Sequence, residues 1–223
     1  VQLAAASGKA ERVSGHPTSI SIVACLVAGV AMGDDLQWKV VRNMPTARDQ
    51  MAAAVVDGKI YVIGGSSGTA LVASVEEYDP VSDVWITRAP MPEPVDIYSQ
   101  ACVVGGKIYV MPSYQDPFPL PACSSSLFIY DPASDSWATG SNFIPVMTAA
   151  YGAGAVNGTI YMVGGTGLGL SVECATRMVQ AYTPSTDTWG WKTPLPVVSD
   201  SMRATVLNGI LFAVGGIRHT DPP

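Results

Sequence analysis

Four copies of one short pattern constrain this chain more than any other feature. The first is Gly58-Lys59-Ile60-Tyr61-Val62-Ile63-Gly64-Gly65. The second, Gly106-Lys107-Ile108-Tyr109-Val110-Met111-Pro112-Ser113, has lost the glycine pair. Asn157-Gly158-Thr159-Ile160-Tyr161-Met162-Val163-Gly164-Gly165 and Asn208-Gly209-Ile210-Leu211-Phe212-Ala213-Val214-Gly215-Gly216 complete the set. The turn glycines Gly58, Gly106, Gly158 and Gly209 lie 48, 52 and 51 residues apart. A second series keeps phase with them. Tyr78, Tyr130 and Tyr182 step by 52, and so do Trp85, Trp137 and Trp189. Two motifs recurring together at this period identify a repeat architecture before any element is assigned.

Each repeat reads as four strands. In the first, Met51 to Val56 is strand a, and Asp57-Gly58 is a two-residue hairpin turn that favours positive φ. Lys59 to Ile63 is strand b, ended by Gly64-Gly65. Leu71 to Tyr78 is strand c, and Val84 to Arg88 is strand d after a turn at 79–83. Gly105-Gly106, Asn157-Gly158 and Asn208-Gly209 repeat the a–b turn chemistry. Met91-Pro92, Ile144-Pro145 and Leu195-Pro196 echo Met44-Pro45. Proline cannot donate to a ladder, so these pairs belong between sheets. No helix of ten residues is suggested.

Glycine pair, Tyr-Asp-Pro and Trp at this spacing resemble the Kelch-repeat family over residues 34 to 216. The resemblance implies an all-β propeller of four-stranded antiparallel blades around a channel. The blades fall at 51–88, 98–140 and 151–192, with a partial blade at 202–216 joined by a lone strand at 36–41. The second repeat departs at Pro112-Ser113. With three whole blades and partial strands at both ends, we expect an incomplete ring, a fragment of a larger propeller that self-associates. Gly64, Gly65, Gly164, Gly165, Gly215 and Gly216 are read as structural, together with the six tyrosines and tryptophans that step by 52. Each aromatic can bury ~150–250 Å² between stacked blades.

Composition narrows the function. Net charge is −6 with no basic run, which argues against nucleic acid. Charged residues are only 13% of the chain, against a usual ~25%. No apolar run reaches membrane-spanning length. Residues 1–33 fall outside the repeat. Lys9, Arg12 and His16 precede an apolar stretch from Ile20 to Met32 and small-x-small sites, a pattern similar to a secretory leader. A true leader implies a secreted or surface protein, and otherwise a cytoplasmic one.

Binding residues are expected where the b–c loops and d–a connections share one end of the blades. On the d–a side stand Arg48, Asp49, Asp96, Tyr98, Tyr151, Asp200 and Arg203. The b–c side offers Tyr114, Gln115, Asp116, Phe118, Glu173 and Arg218. Catalytic constellations are missing. The two histidines, His16 and His219, lie outside the repeats, and no zinc, phosphate-loop or serine-nucleophile motif occurs. No metal or cofactor is expected. The reading is a non-catalytic module for a protein or glycan partner. One alternative is a sugar-acid mutarotase of similar fold using Arg48, Glu173 and Arg203; the other is the recognition part of a larger adaptor. Cys25 lies in the leader, and Cys102 is in register with Ala54 as a small buried residue. Cys123 and Cys174 end the b–c loops of adjacent repeats, where a disulfide is an open alternative to free thiols.

Overall fold

The computed structural model describes residues 40–68, 70–95, 99–111, 113, 126–141, 148–167 and 174–219. The leader at 1–33 lies outside them, as do Cys25, Cys123 and most of the strand expected at 36–41. Val40 and Val41 are described and belong to no strand.

Local chemistry sets the first blade. Alternating small and β-branched residues give β1 (Ala52–Val56), and Lys59–Ile63 gives β2. Between them Asp57 and Gly58 adopt φ of 50° and 75°, the paired left-handed geometry that matches strand twist. β3 (Val75–Asp79) and β4 (Val84–Arg88) complete an antiparallel sheet in the order β1-β2-β3-β4. Strand c is thus shorter than the sequence suggested, and Leu71 makes only an isolated bridge to Ser66.

The second blade is β5 (Gln100–Val104), β6 (Lys107–Met111), β7 (Phe128–Asp131) and β8 (Ser136–Thr139). After β9 (Thr148–Ala149) the third contains β10 (Gly152–Val156), β11 (Thr159–Val163), β14 (Val179–Thr183) and β15 (Thr188–Trp191). Two short strands, β12 (Thr166–Gly167) and β13 (Cys174–Ala175), join β9 in a side sheet ordered β13-β12-β9. Finally β16 (Val198–Leu207) and β17 (Ile210–His219) form a hairpin. These are the four-stranded blades of a propeller, stacked face to face. One core cluster joins Ala54, Tyr61 and Ile63 of blade 1 to Ile108, Val110 and Tyr130 of blade 2. A second joins Cys102, Tyr109 and Met111 of blade 2 to Ile160, Met162 and Tyr182 of blade 3.

A latch recurs at every blade. Tyr78, Tyr130 and Tyr182 are at most 1% exposed, and each hydroxyl donates to an aspartate five residues on: Asp83 at 2.8 Å, Asp135 at 2.6 Å and Asp187 at 2.5 Å. The same carboxylate oxygen accepts a backbone N–H from the preceding connection, at Arg42, Ala89 and Ser141. Trp85 and Trp137 each donate Nε1–H back to the carbonyl of that residue, Arg42 or Ala89, at 2.9 Å. Trp189 Nε1 has no partner among the described residues. Each latch ties strands c and d to the chain entering the blade. Its aspartate occupies φ near 50°, a region aspartate tolerates better than most residues. The Tyr130 hydrogen bond, seconded by the Ala89 amide, holds the Asp135 carboxyl below the usual carboxylate range.

Candidate functional site

The end of the blades that carries the b–c loops and d–a connections is shaped by a kink opposite the glycine pair. Gly64 and Gly65 have φ of 65° and 97°, and Gln50 on the facing strand has φ of 54°. Pairing then resumes: Asp49 and Ser66 exchange N–H to carbonyl hydrogen bonds of 2.9 Å each. Blade 3 repeats the device with Ala150 and Gly164-Gly165, after which Ala149 pairs with Thr166. In the hairpin, Ser201 and Gly215-Gly216 do the same, and Asp200 pairs with Ile217. The kink extends the inner strands into a rim of paired backbone at this end.

The predicted residues divide around that rim. Asp49 and Arg218 are exposed on it and Asp200 is half-buried, whereas Arg203 is exposed on the blade side of the kink, in the ladder opposite Val214. Arg48 and Tyr151, expected on the same face, are buried instead, each held by partners inside the blades. Tyr151 is 0% exposed and donates to Met111 O at 2.8 Å. Arg48 has a fully covered side chain that pairs with Glu76 at 3.1 Å and donates to Val62 O and Ser74 O. Burial pushes its pKa down, and Glu76 opposes that. Asp96, Tyr98, Tyr114, Gln115, Asp116, Phe118 and Glu173 lie outside the described residues.

Three features escaped the sequence reading. One is the latch aspartates, whose own 52-residue step (83, 135, 187) was there to be found. The others are the buried acids Glu76 and Glu77, 2% and 0% exposed. Nothing in their local sequence marks them as interior.

Catalytic machinery does not assemble among the described residues. Cys102 is a free thiol pushed up to about 12 by burial, which makes it a packing residue and a poor nucleophile. No group of three or more His, Cys, Asp or Glu is placed to hold a metal among the described residues. His219 ends β17, and the sulfurs of Cys123 and Cys174 lie outside what is described. No helix among the described residues is long and apolar enough to cross a membrane.

Comparison with known proteins agrees with the architecture. The family profile of the Kelch motif matches residues 47–92. Kelch-like protein 35 of Mus musculus is 28% identical over 179 residues, covering 80% of this chain and 29% of that protein. Kelch repeat and BTB domain-containing protein 12 of Homo sapiens is 33% identical over 145 residues, 57% of this chain and 23% of that protein. Beta-scruin of Limulus polyphemus is 31% identical over 47% of this chain and 12% of its own length. The chain thus spans less than a third of each of these relatives. The solved structure of YjhT superimposes with a TM-score of 0.67 at 20% identity, over 83% of this chain and 64% of that one.

Proposed function

This chain belongs to the Kelch-repeat β-propellers, and on that premise we propose that it is a non-catalytic recognition module whose b–c loops and d–a connections engage a protein. The observation that carries this reading is the asymmetry between the two ends of the blades. At one end the a–b turns are two residues long in all four repeats, and the c–d turns at 80–83, 132–135 and 184–187 are equal in length. At the other end the b–c segments run 64–74, 112–127 and 164–178, differing in length and sequence. Loops that vary on a rigid scaffold are where recognition residues sit. Asp49 and Arg218 supply exposed charge on that rim. A sugar-acid mutarotase relying on Arg48 is disfavoured, because that guanidinium is held by Glu76 and two carbonyls inside blade 1.

The test is charge reversal. A partner is first identified by cross-linking, and its affinity is then measured on purified protein. Asp49→Lys with Arg218→Glu should weaken binding at least tenfold. Val81→Glu, at a 95% exposed position in a c–d turn, should leave it unchanged. Equal loss from both ends would sink the proposal.

We further propose that the isolated chain self-associates through the hairpin. Leu207, Ile210, Phe212 and Val214 are 54%, 58%, 43% and 59% exposed, and their cross-strand register puts them on the face away from blade 3. In the other blades such faces are packed. A contiguous apolar surface of this kind favours association. Light scattering should show particles heavier than one chain, and Phe212→Asp with Val214→Lys should reduce them towards monomer. A monomeric native chain at high concentration would refute it.

A further inference from the structure

The seam between blades 1 and 2 departs from the repeat in one place. Glu77 of β3 faces Tyr61 across the ladder, and the matching positions in blades 2 and 3 are Ile129 facing Tyr109 and Ala181 facing Tyr161. The fold therefore fills this position with an apolar residue when left to packing alone. Blade 1 places a fully covered carboxylate there. Burying a charge is costly unless it is paired and hydrogen-bonded, so an acid that the architecture does not require calls for another account.

Its partners supply one. Glu77 Oε1 accepts from Lys59 Nζ at 2.7 Å, and Oε2 accepts from Arg88 Nε at 2.7 Å with Arg88 NH2 at 2.6 Å. Burial works against the Glu77 charge, but hydrogen bonds from Lys59, Tyr61 and Arg88 outweigh it and keep the carboxyl below the usual range. Lys107 sits beside them on blade 2, paired with Asp131 at 3.0 Å. Lys59, Tyr61, Arg88, Lys107 and Asp131 line a cavity of about 460 Å³ that also takes in both a–b turns and the c–d turn of blade 2, with Glu77 behind its wall. That volume falls within the roughly 300–1,000 Å³ of small-molecule sites.

We propose that this seam is a binding site for a carboxylate, at the end of the blades opposite the proposed protein-recognition rim. Lys59, Arg88 and Lys107 converge on one cleft of an otherwise charge-poor chain. Glu77, behind the cavity wall, is saturated with donors, and Asp131 on the wall accepts from Lys107 and the Ala133 amide, so both acids are already satisfied. The ammonium groups are only partly covered, 36% exposed at Lys59 and 48% at Lys107. Each has N–H bonds beyond the one its ion pair takes, which an incoming carboxylate would accept. Asp57 also lines the cavity, and its carboxylate disfavours polyanions. Glu77 acts as a positioning residue: it holds Lys59 and Arg88 in place and is itself sealed from the ligand.

Calorimetric titration of the full chain tests this with two probes, glutarate and a blocked peptide carrying a single glutamate. Saturable binding of either supports the site. Glutarate alone points to a small organic acid, and tighter peptide binding to an acidic side chain of a protein. Lys107→Gln, at an exposed position that leaves the Glu77 cluster intact, should weaken binding at least tenfold with an unchanged melting temperature. The glutamine version of the peptide should not bind. No saturation with either acid, or native affinity in Lys107→Gln, overturns the proposal.

Discussion

Replacing Arg48 by methionine should destabilise the chain by about 3–5 kcal/mol, the range for breaking a buried ion pair from one side. The side chains of Arg48 and Glu76 are 0% and 2% exposed. Glu76 Oε1 is held by the Thr46 amide at 3.1 Å and hydroxyl at 2.7 Å, and Oε2 by Arg48. Without the guanidinium, one carboxylate oxygen is left uncompensated in the interior. The Ser74 hydroxyl also loses the Arg48 donor, while its carbonyl keeps the Gly64 amide at 3.0 Å. Adding Glu76→Leu to Arg48→Met should recover most of the loss, because apolar replacement of a whole buried pair is often neutral or stabilising. The repeat supports this. The position of Glu76 opposite Val62 is held by Phe128 opposite Val110 in blade 2, so the blade accepts an apolar residue there. Urea denaturation midpoints decide it: a single variant as stable as the native chain, or a double variant as weak as the single, contradicts the account.

The same pair shows where sequence reading stops. Residues whose role is written in neighbouring backbone geometry were legible. Asp57-Gly58 and Asn157-Gly158 specify a turn, the turn sets the hairpin register, and the blades follow. Tyr130 declared itself as interior by size and period, and Trp137 packs half-buried against the same core. Arg48 did not declare itself, because the groups that hold it inside, Val62 O, Ser74 O and Glu76, are distant in sequence. Tyr151 was misplaced likewise, since the carbonyl that accepts its hydroxyl belongs to Met111 of the neighbouring blade. Glu77 was invisible because only its cross-seam neighbours make a buried acid tolerable. At the loop end, Asp49 and Arg218 lie exposed beyond the kink, whereas Arg203 lies within the ladder opposite Val214, a distinction that needs the register and not the order of residues.

Gly65 and Gly58 both have positive φ, yet alanine should affect them very differently. At Gly58, with φ of 75°, a Cβ would meet nothing within 4 Å. Gly58→Ala then carries only the left-handed penalty of roughly 1–2 kcal/mol. At Gly65, with φ of 97°, a Cβ would sit 2.5 Å from the Asp49 carbonyl oxygen and 3.1 Å from Met51 Cβ. That oxygen is not free to retreat, because it accepts the Ser66 amide in the bridge that rebuilds pairing beyond the kink. Relief of the clash means breaking that bridge or shifting the start of β1, which adds overpacking strain of about 1–3 kcal/mol to the backbone penalty. We expect about 3–4 kcal/mol in all for Gly65→Ala. Gly216→Ala should behave similarly, since its Cβ would lie 2.6 Å from the Asp200 carbonyl oxygen. The two effects differ in reach as well as size. Hydrogen exchange in Gly58→Ala should change only near the turn, whereas Gly65→Ala should also speed exchange of the Asp49 and Ser66 amides on the recognition rim. Equal destabilisation by the two substitutions would show that the glycine pair is kept for backbone freedom alone and that the close approach to Asp49 has no energetic weight.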